Sequence, residues 1–73
     1  MEANTVTELL IDEVRSASGF EIVEPQMTFA ELGLDSLDFI CMINEVREKV
    51  GPIDDKTASQ LYTVGDLLAH FSA

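Results

Sequence analysis

Apolar residues return every three to four positions in three stretches of the chain, the spacing of one helix face. In the first, residues 5–18, Val6, Leu9, Leu10, Val14 and Ala17 form the stripe. Thr5 with Glu8 three residues on is a capping-box start, and Gly19 is a natural stop. In the second, residues 36–50, the stripe is Phe39, Met42, Ile43, Val46 and Val50. Asp35 stands at its N-cap, Asp38 lies in its first turn, and Gly51-Pro52 ends it. The last begins at Thr63 as cap, with Asp66 at its third position and Val64, Leu67, Leu68 and Phe71 facing inward. Residues 54–61 make a shorter, weaker helix that Asp54-Asp55 would start. No stretch alternates as a strand does. The pattern predicts an all-α fold, a small four-helix bundle with a short third helix and a long loop between helices one and two.

That loop, residues 19–35, is unusual for so small a domain, and loops of this length tend to be functional. It carries Phe20, Ile22, Val23, Pro25, Met27, Phe29 and Leu32, so part of it must pack on the core. Thr28 followed by Glu31 predicts one helical turn within it.

Length narrows the function. Residues 1–73 suffice for a single domain. A domain of this size buries only about 60% of its unfolded surface, which leaves little room for a walled active site. The chain reads as a module that presents something to larger partners. A hydrophobic content of 47% is too high for a disordered acidic tail. The apolar runs are too short for a membrane span, and Met1-Glu2 opens no signal peptide, so a cytoplasmic monomer without membrane insertion is expected. One Cys and one His exclude a disulfide framework and a Cys/His zinc site, and no metal is expected. Fourteen acids against four bases, a net charge of −10, disfavour nucleic acid and favour basic protein surfaces.

Ser36 is the residue that carries chemistry. It opens the second helix, where the first backbone N–H groups lack internal partners and favour a phosphate. A phosphodiester on its hydroxyl would sit where those dipoles help it. Gly33 would let the preceding loop take a positive φ and keep the approach open. Taken alone, Ser36 reads as an ordinary helix-start serine.

The run Phe29-Ala30-Glu31-Leu32-Gly33-Leu34-Asp35-Ser36-Leu37-Asp38 resembles the phosphopantetheine attachment motif of acyl carrier proteins, and the layout of helices around it resembles theirs over essentially the whole chain. The resemblance implies that a phosphopantetheinyl transferase moves the 4'-phosphopantetheine of coenzyme A onto Ser36, with Asp35 and Leu37 as motif neighbours. The terminal thiol of that arm would carry acyl groups as thioesters, and acyl-transferring and acyl-modifying enzymes with basic docking patches would act on them in fatty-acid, lipid or polyketide-type biosynthesis. The carrier itself catalyses nothing, so no catalytic residue is expected. The physics agrees, because one helical cysteine could not reach several active sites. An apolar cargo gains roughly 0.8 kcal/mol for each CH₂ it buries, and Phe29, Leu32, Ile40, Ile43, Val46, Leu61 and Val64 are the candidates to line its pocket.

In housekeeping fatty-acid carriers the second helix is strongly acidic. Here the expected recognition face is Leu37, Asp38, Cys41, Asn44, Glu45 and Glu48, with Cys41 where an acid is usual and Arg47 and Lys49 interrupting the acidic run. This departure points to a specialised carrier with its own partners. Cys41 reads as a half-buried helix residue rather than a nucleophile, and His70 as a C-terminal residue favoured by its helix dipole. Two alternatives stand beside this reading. A peptidyl or aminoacyl carrier more often shows Gly-Gly-His or Gly-Gly-Asp before the serine. An acidic interaction module would leave Ser36 unmodified.

Overall fold

In the computed structural model, which describes residues 2–72, the chain forms α1 (Glu2–Ser18), α2 (Ser36–Lys49), α3 (Asp55–Gln60) and α4 (Val64–Ser72). The all-α architecture, the short third helix and the long connection between α1 and α2 are as the hydrophobic pattern predicts. α1 packs on both α2 and α4. Its C-terminal turns lie beside the N-terminal half of α2, where Glu13, Ser16 and Ala17 share a hollow with Asp38, Cys41 and Glu45.

All of the described buried residues join one core. Leu10 and Val14 enter from α1; Phe29, Leu32 and Leu34 from the connection; Met42, Ile43 and Val46 from α2; Ile53, Ala58, Val64 and Leu67 from the C-terminal third. Burying each of the larger side chains contributes about 1.5–3 kcal/mol.

Every helix after α1 starts on an oxygen cap. Asp35 Oδ1 accepts the Asp38 amide at 2.9 Å, and Asp54 Oδ1 accepts the Thr57 amide at 2.8 Å. At α4 the capping box is reciprocal: Thr63 Oγ1 accepts the Asp66 amide, and Asp66 Oδ2 accepts the Thr63 amide. These bonds hold the Asp66 carboxyl below its ordinary range, through the backbone N–H groups of Thr63 and then Tyr62. Asp54 is lowered likewise, chiefly by Thr57.

The chain departs from expectation at α1 and in the connection. α1 begins at Glu2, so Thr5 lies inside the helix and is not its cap. The preceding Glu2 and Ala3 are good helix formers, and nothing there breaks the helix. Leu9 and Ala17 are exposed, while Ile11 packs against the core in their place. Phe20, Ile22 and Pro25 are also exposed, because the connection packs through its second half. There it is tied to the segment before α4. Phe29 N–H donates to the Tyr62 carbonyl, Val64 N–H to Met27 and Gly65 N–H to Pro25, around an isolated bridge between Thr28 and Thr63.

Candidate functional site

The approach to Ser36 is built from local hydrogen bonds. Thr28 and Glu31 form the expected box: Glu31 Oε1 accepts the Thr28 amide at 2.8 Å, and Thr28 Oγ1 accepts the Glu31 amide at 3.0 Å. One helical turn follows, closed by Leu32 N–H on the Thr28 carbonyl. It ends in a Schellman pattern: Gly33 N–H donates to Ala30, and Leu34 N–H donates to Phe29. Gly33 has φ 76°, the left-handed conformation such an ending needs. A Cβ at Gly33 would meet nothing within 4 Å, so the glycine is required by its backbone angle and not by open space. The turn drives Leu34 into the core and leaves Asp35 extended at the start of α2. The loop before Ser36 is therefore braced on both sides.

Ser36 is the first residue of α2, and it is exposed. The Asp35 carbonyl accepts Phe39 N–H at 2.8 Å, and the Asp35 carboxylate takes the Asp38 amide. Among the described residues, no acceptor engages the Ser36 and Leu37 amides and no partner engages the Ser36 hydroxyl. A group attached to this oxygen would meet free N–H donors and the positive end of the helix dipole, and no core side chain would have to move.

Two clefts open at Ser36 and share Phe39, Ala58 and Ser59. One, of about 330 Å³, runs between α2 and α3 over Ile40 and Ile43 to Arg47 and Asp55. The other, of about 270 Å³, lies over Phe29, Leu34, Leu61 and Tyr62. Phe39 stands between them, its ring 5.0 Å from that of Phe29. Four of the seven pocket candidates line these clefts, namely Phe29, Ile40, Ile43 and Leu61. Leu32, Val46 and Val64 line neither and are sealed in the core at 0–2% exposure. Phe39, Ala58 and Ser59 line both clefts with no signal in the sequence that they would. Phe39 shows only as a core position there, and the placement of α3 is a tertiary fact.

The expected recognition face divides in two. Leu37, Asn44 and Glu48 point to solvent, and Leu37 is 69% exposed. Asp38, Cys41 and Glu45 border the hollow shared with α1. Cys41 is exposed, not half-buried. The two bases that break the acidic run are occupied within the fold. Arg47 donates from Nε to the Ile53 carbonyl at 2.8 Å, from Nη1 to Asn44 at 3.0 Å and from Nη2 to Asp55 at 2.7 Å. Lys49 pairs with Glu13 at 2.8 Å and Glu45 at 3.3 Å, and hydrogen bonds from Glu13 first and Glu45 second raise its pKa. Asn44 and Glu45 are thereby engaged as well, whereas no described side chain partners the side chains of Asp38, Cys41 or Glu48. His70 occupies the last turn of α4, edge-on to Phe71.

No group of Cys, His, Asp and Glu among the described residues could hold a metal ion, and no described helix is long and apolar enough to cross a membrane. Among proteins of known function, the chain is 37% identical to the acyl carrier protein of Streptococcus thermophilus over 65 residues, 89% of this chain and 84% of that protein. No solved structure matches it. The family profile described as the phosphopantetheine attachment site matches residues 8–71. With that match spanning all four helices, the chain belongs to the phosphopantetheine-attachment family of non-catalytic carriers, and phosphopantetheine is its prosthetic group.

Proposed function

We propose that Ser36 is the attachment point and that the chain, as a single carrier domain over residues 1–73, is an acyl carrier protein. The observation that carries this is the exposed, unpartnered Ser36 hydroxyl at the first turn of α2, held out by the braced turn before it and flanked by free amides. Loading forms a bond from Ser36 Oγ to the phosphorus next to the pantetheine in coenzyme A. It breaks the pyrophosphate, releases adenosine 3',5'-bisphosphate and passes the serine proton to a base of the transferase. The attached arm supplies a thiol that holds cargo as a thioester.

An acyl cargo, rather than an aminoacyl one, is supported by the lining of the larger cleft, where Phe39, Ile40, Ile43 and Ala58 offer an apolar surface. The role falls in fatty-acid, lipid or polyketide-type synthesis, with a cytoplasmic setting that goes with drawing on coenzyme A. Leu37, Asp38, Cys41 and Glu48 are the side chains left to meet basic partner surfaces. Arg47 and Lys49 are spent inside the fold, so the case for a specialised carrier rests on Cys41. Rapid turnover by a generic malonyl transferase and ketosynthase would remove that case.

The test is intact-protein mass spectrometry after incubation with coenzyme A and a phosphopantetheinyl transferase. The wild type should gain one phosphopantetheine and Ser36→Ala none. A wild type that gains nothing would make the chain an unmodified interaction module.

A further inference from the structure

The larger cleft has a direction. Ser36, Ile40, Ile43 and Arg47 recur at intervals of four, three and four along α2, so they lie on one face, with Arg47 about 16 Å from Ser36 along the axis. α3 forms the opposite wall, with Ser59 and Ala58 toward Ser36 and Asp55 on Arg47. The polar side chains stand at the two ends, and the middle, Phe39, Ile40, Ile43 and Ala58, is apolar. Arg47 is also immobilised. Its three hydrogen bonds reach α2, the following loop and α3 at once, and its side chain is only 33% exposed.

We propose that Arg47 is a specificity-determining residue that closes this cleft as a polar end wall, so that the carrier shelters acyl groups of intermediate length and gives no added shelter to longer aliphatic ones. The proposal rests on the acyl-carrier reading of Ser36. An acyl group entering from the Ser36 end meets Ile40, Phe39 and Ile43 first, and each methylene laid there leaves water. The next methylenes meet a guanidinium. To pass, they must break its bonds or strip water from the charge. The pair with the exposed Asp55 resists little, but losing the part-buried bond to the Ile53 carbonyl, or desolvating the guanidinium, costs more than one CH₂ contributes. The sequence alone places Arg47 on the Ser36 stripe three turns on, but only the fold places Asp55 and the Ile53 carbonyl around it.

The experiment loads wild type, Arg47→Met and Ile40→Ser from butyryl-, octanoyl-, dodecanoyl- and palmitoyl-coenzyme A, with each product verified by intact mass. The rate at which hydroxylamine cleaves each thioester is then compared with that of the free acyl-coenzyme A. In the wild type, protection should rise from butyryl to octanoyl by up to about fourfold per methylene and gain nothing further at palmitoyl. In Arg47→Met the rise should continue through the longer chains. In Ile40→Ser protection should fall at every length while the limit stays in place. Should circular dichroism show Arg47→Met unfolded, Arg47→Gln, whose amide can still donate to the Ile53 carbonyl, takes its place and should likewise let the rise continue. Wild-type protection that climbs through palmitoyl, an unchanged profile in a folded Arg47→Met, or no protection at any length would overturn the proposal and leave the attachment at Ser36 standing. Failure to gain mass would instead overturn the attachment.

Discussion

The two halves of α2 follow opposite rules. In the N-terminal half, Ser36, Leu37, Ile40 and Cys41 are exposed, and no polar partner among the described residues holds the Ser36 hydroxyl. In the C-terminal half, Arg47 bonds to Ile53 and Asp55, and Lys49 reaches Glu13 on α1. One end of the helix is presented and the other is fastened. An arm attached at Ser36, as proposed, would need a fixed base and a clear exit, and dividing one helix this way would provide both. The comparison also reassigns charge. Arg47 and Lys49 read in sequence as a change of partner surface, but in the fold they secure the helix that displays Ser36.

The sharpest break between the halves is chemical. Ser36→Ala should abolish loading entirely while the circular dichroism spectrum stays that of the wild type; partial loading would mean a second acceptor. On the packed side, Met42→Ala empties a site only 2% exposed and should cost about 2–5 kcal/mol in urea unfolding, a large share of the stability of so small a domain. Gly33→Ala should cost about 1–2 kcal/mol through backbone strain at φ 76°, and loading should slow as the turn that sets Asp35 relaxes. A wild-type midpoint for that variant would show that the turn does not need a left-handed residue.

The response to pH separates the caps from the fastening. Asp54 and Asp66 have lowered pKa values, so the stability they contribute is present above the unfolded carboxyl value, about 3.9, and is lost as pH falls through their folded values. Lys49 is raised, so its contribution is complete below the unfolded value of 10.5 and is lost as pH rises through the folded one. Melting temperature should therefore fall at both extremes, and Lys49→Met should flatten the alkaline side. The smallest effect belongs to Leu37→Ala, which should change stability by no more than about 0.5 kcal/mol yet slow transfer by the transferase. Equal transfer rates would remove Leu37 from the docking face.

The helices after α1 and their starts were legible in the chain because their signals are local. Asp35, Asp54 and the Thr63/Asp66 pair each cap the backbone within three residues, and the stripes over Met42–Val46 and Val64–Leu67 repeat at the helical period. The position of Ser36 at the start of α2 is legible for the same reason, as the first residue after a capping acid and a Gly-containing turn. The start of α1 is not legible, because Thr5-Glu8 looks the same inside a helix as at its end. What the chain could not reveal depends on residues far apart in sequence. Leu9, Phe20 and Ile22 are as apolar as Leu10 and Phe29, and only the packing of four elements decides which of them are covered. The cleft exists because α3 returns alongside α2. Lys49 fastens rather than recruits because Glu13, 36 residues away, lies against it. Hydrogen bonds within a turn are written in neighbouring residues, whereas burial and ion pairing are settled only when distant segments meet.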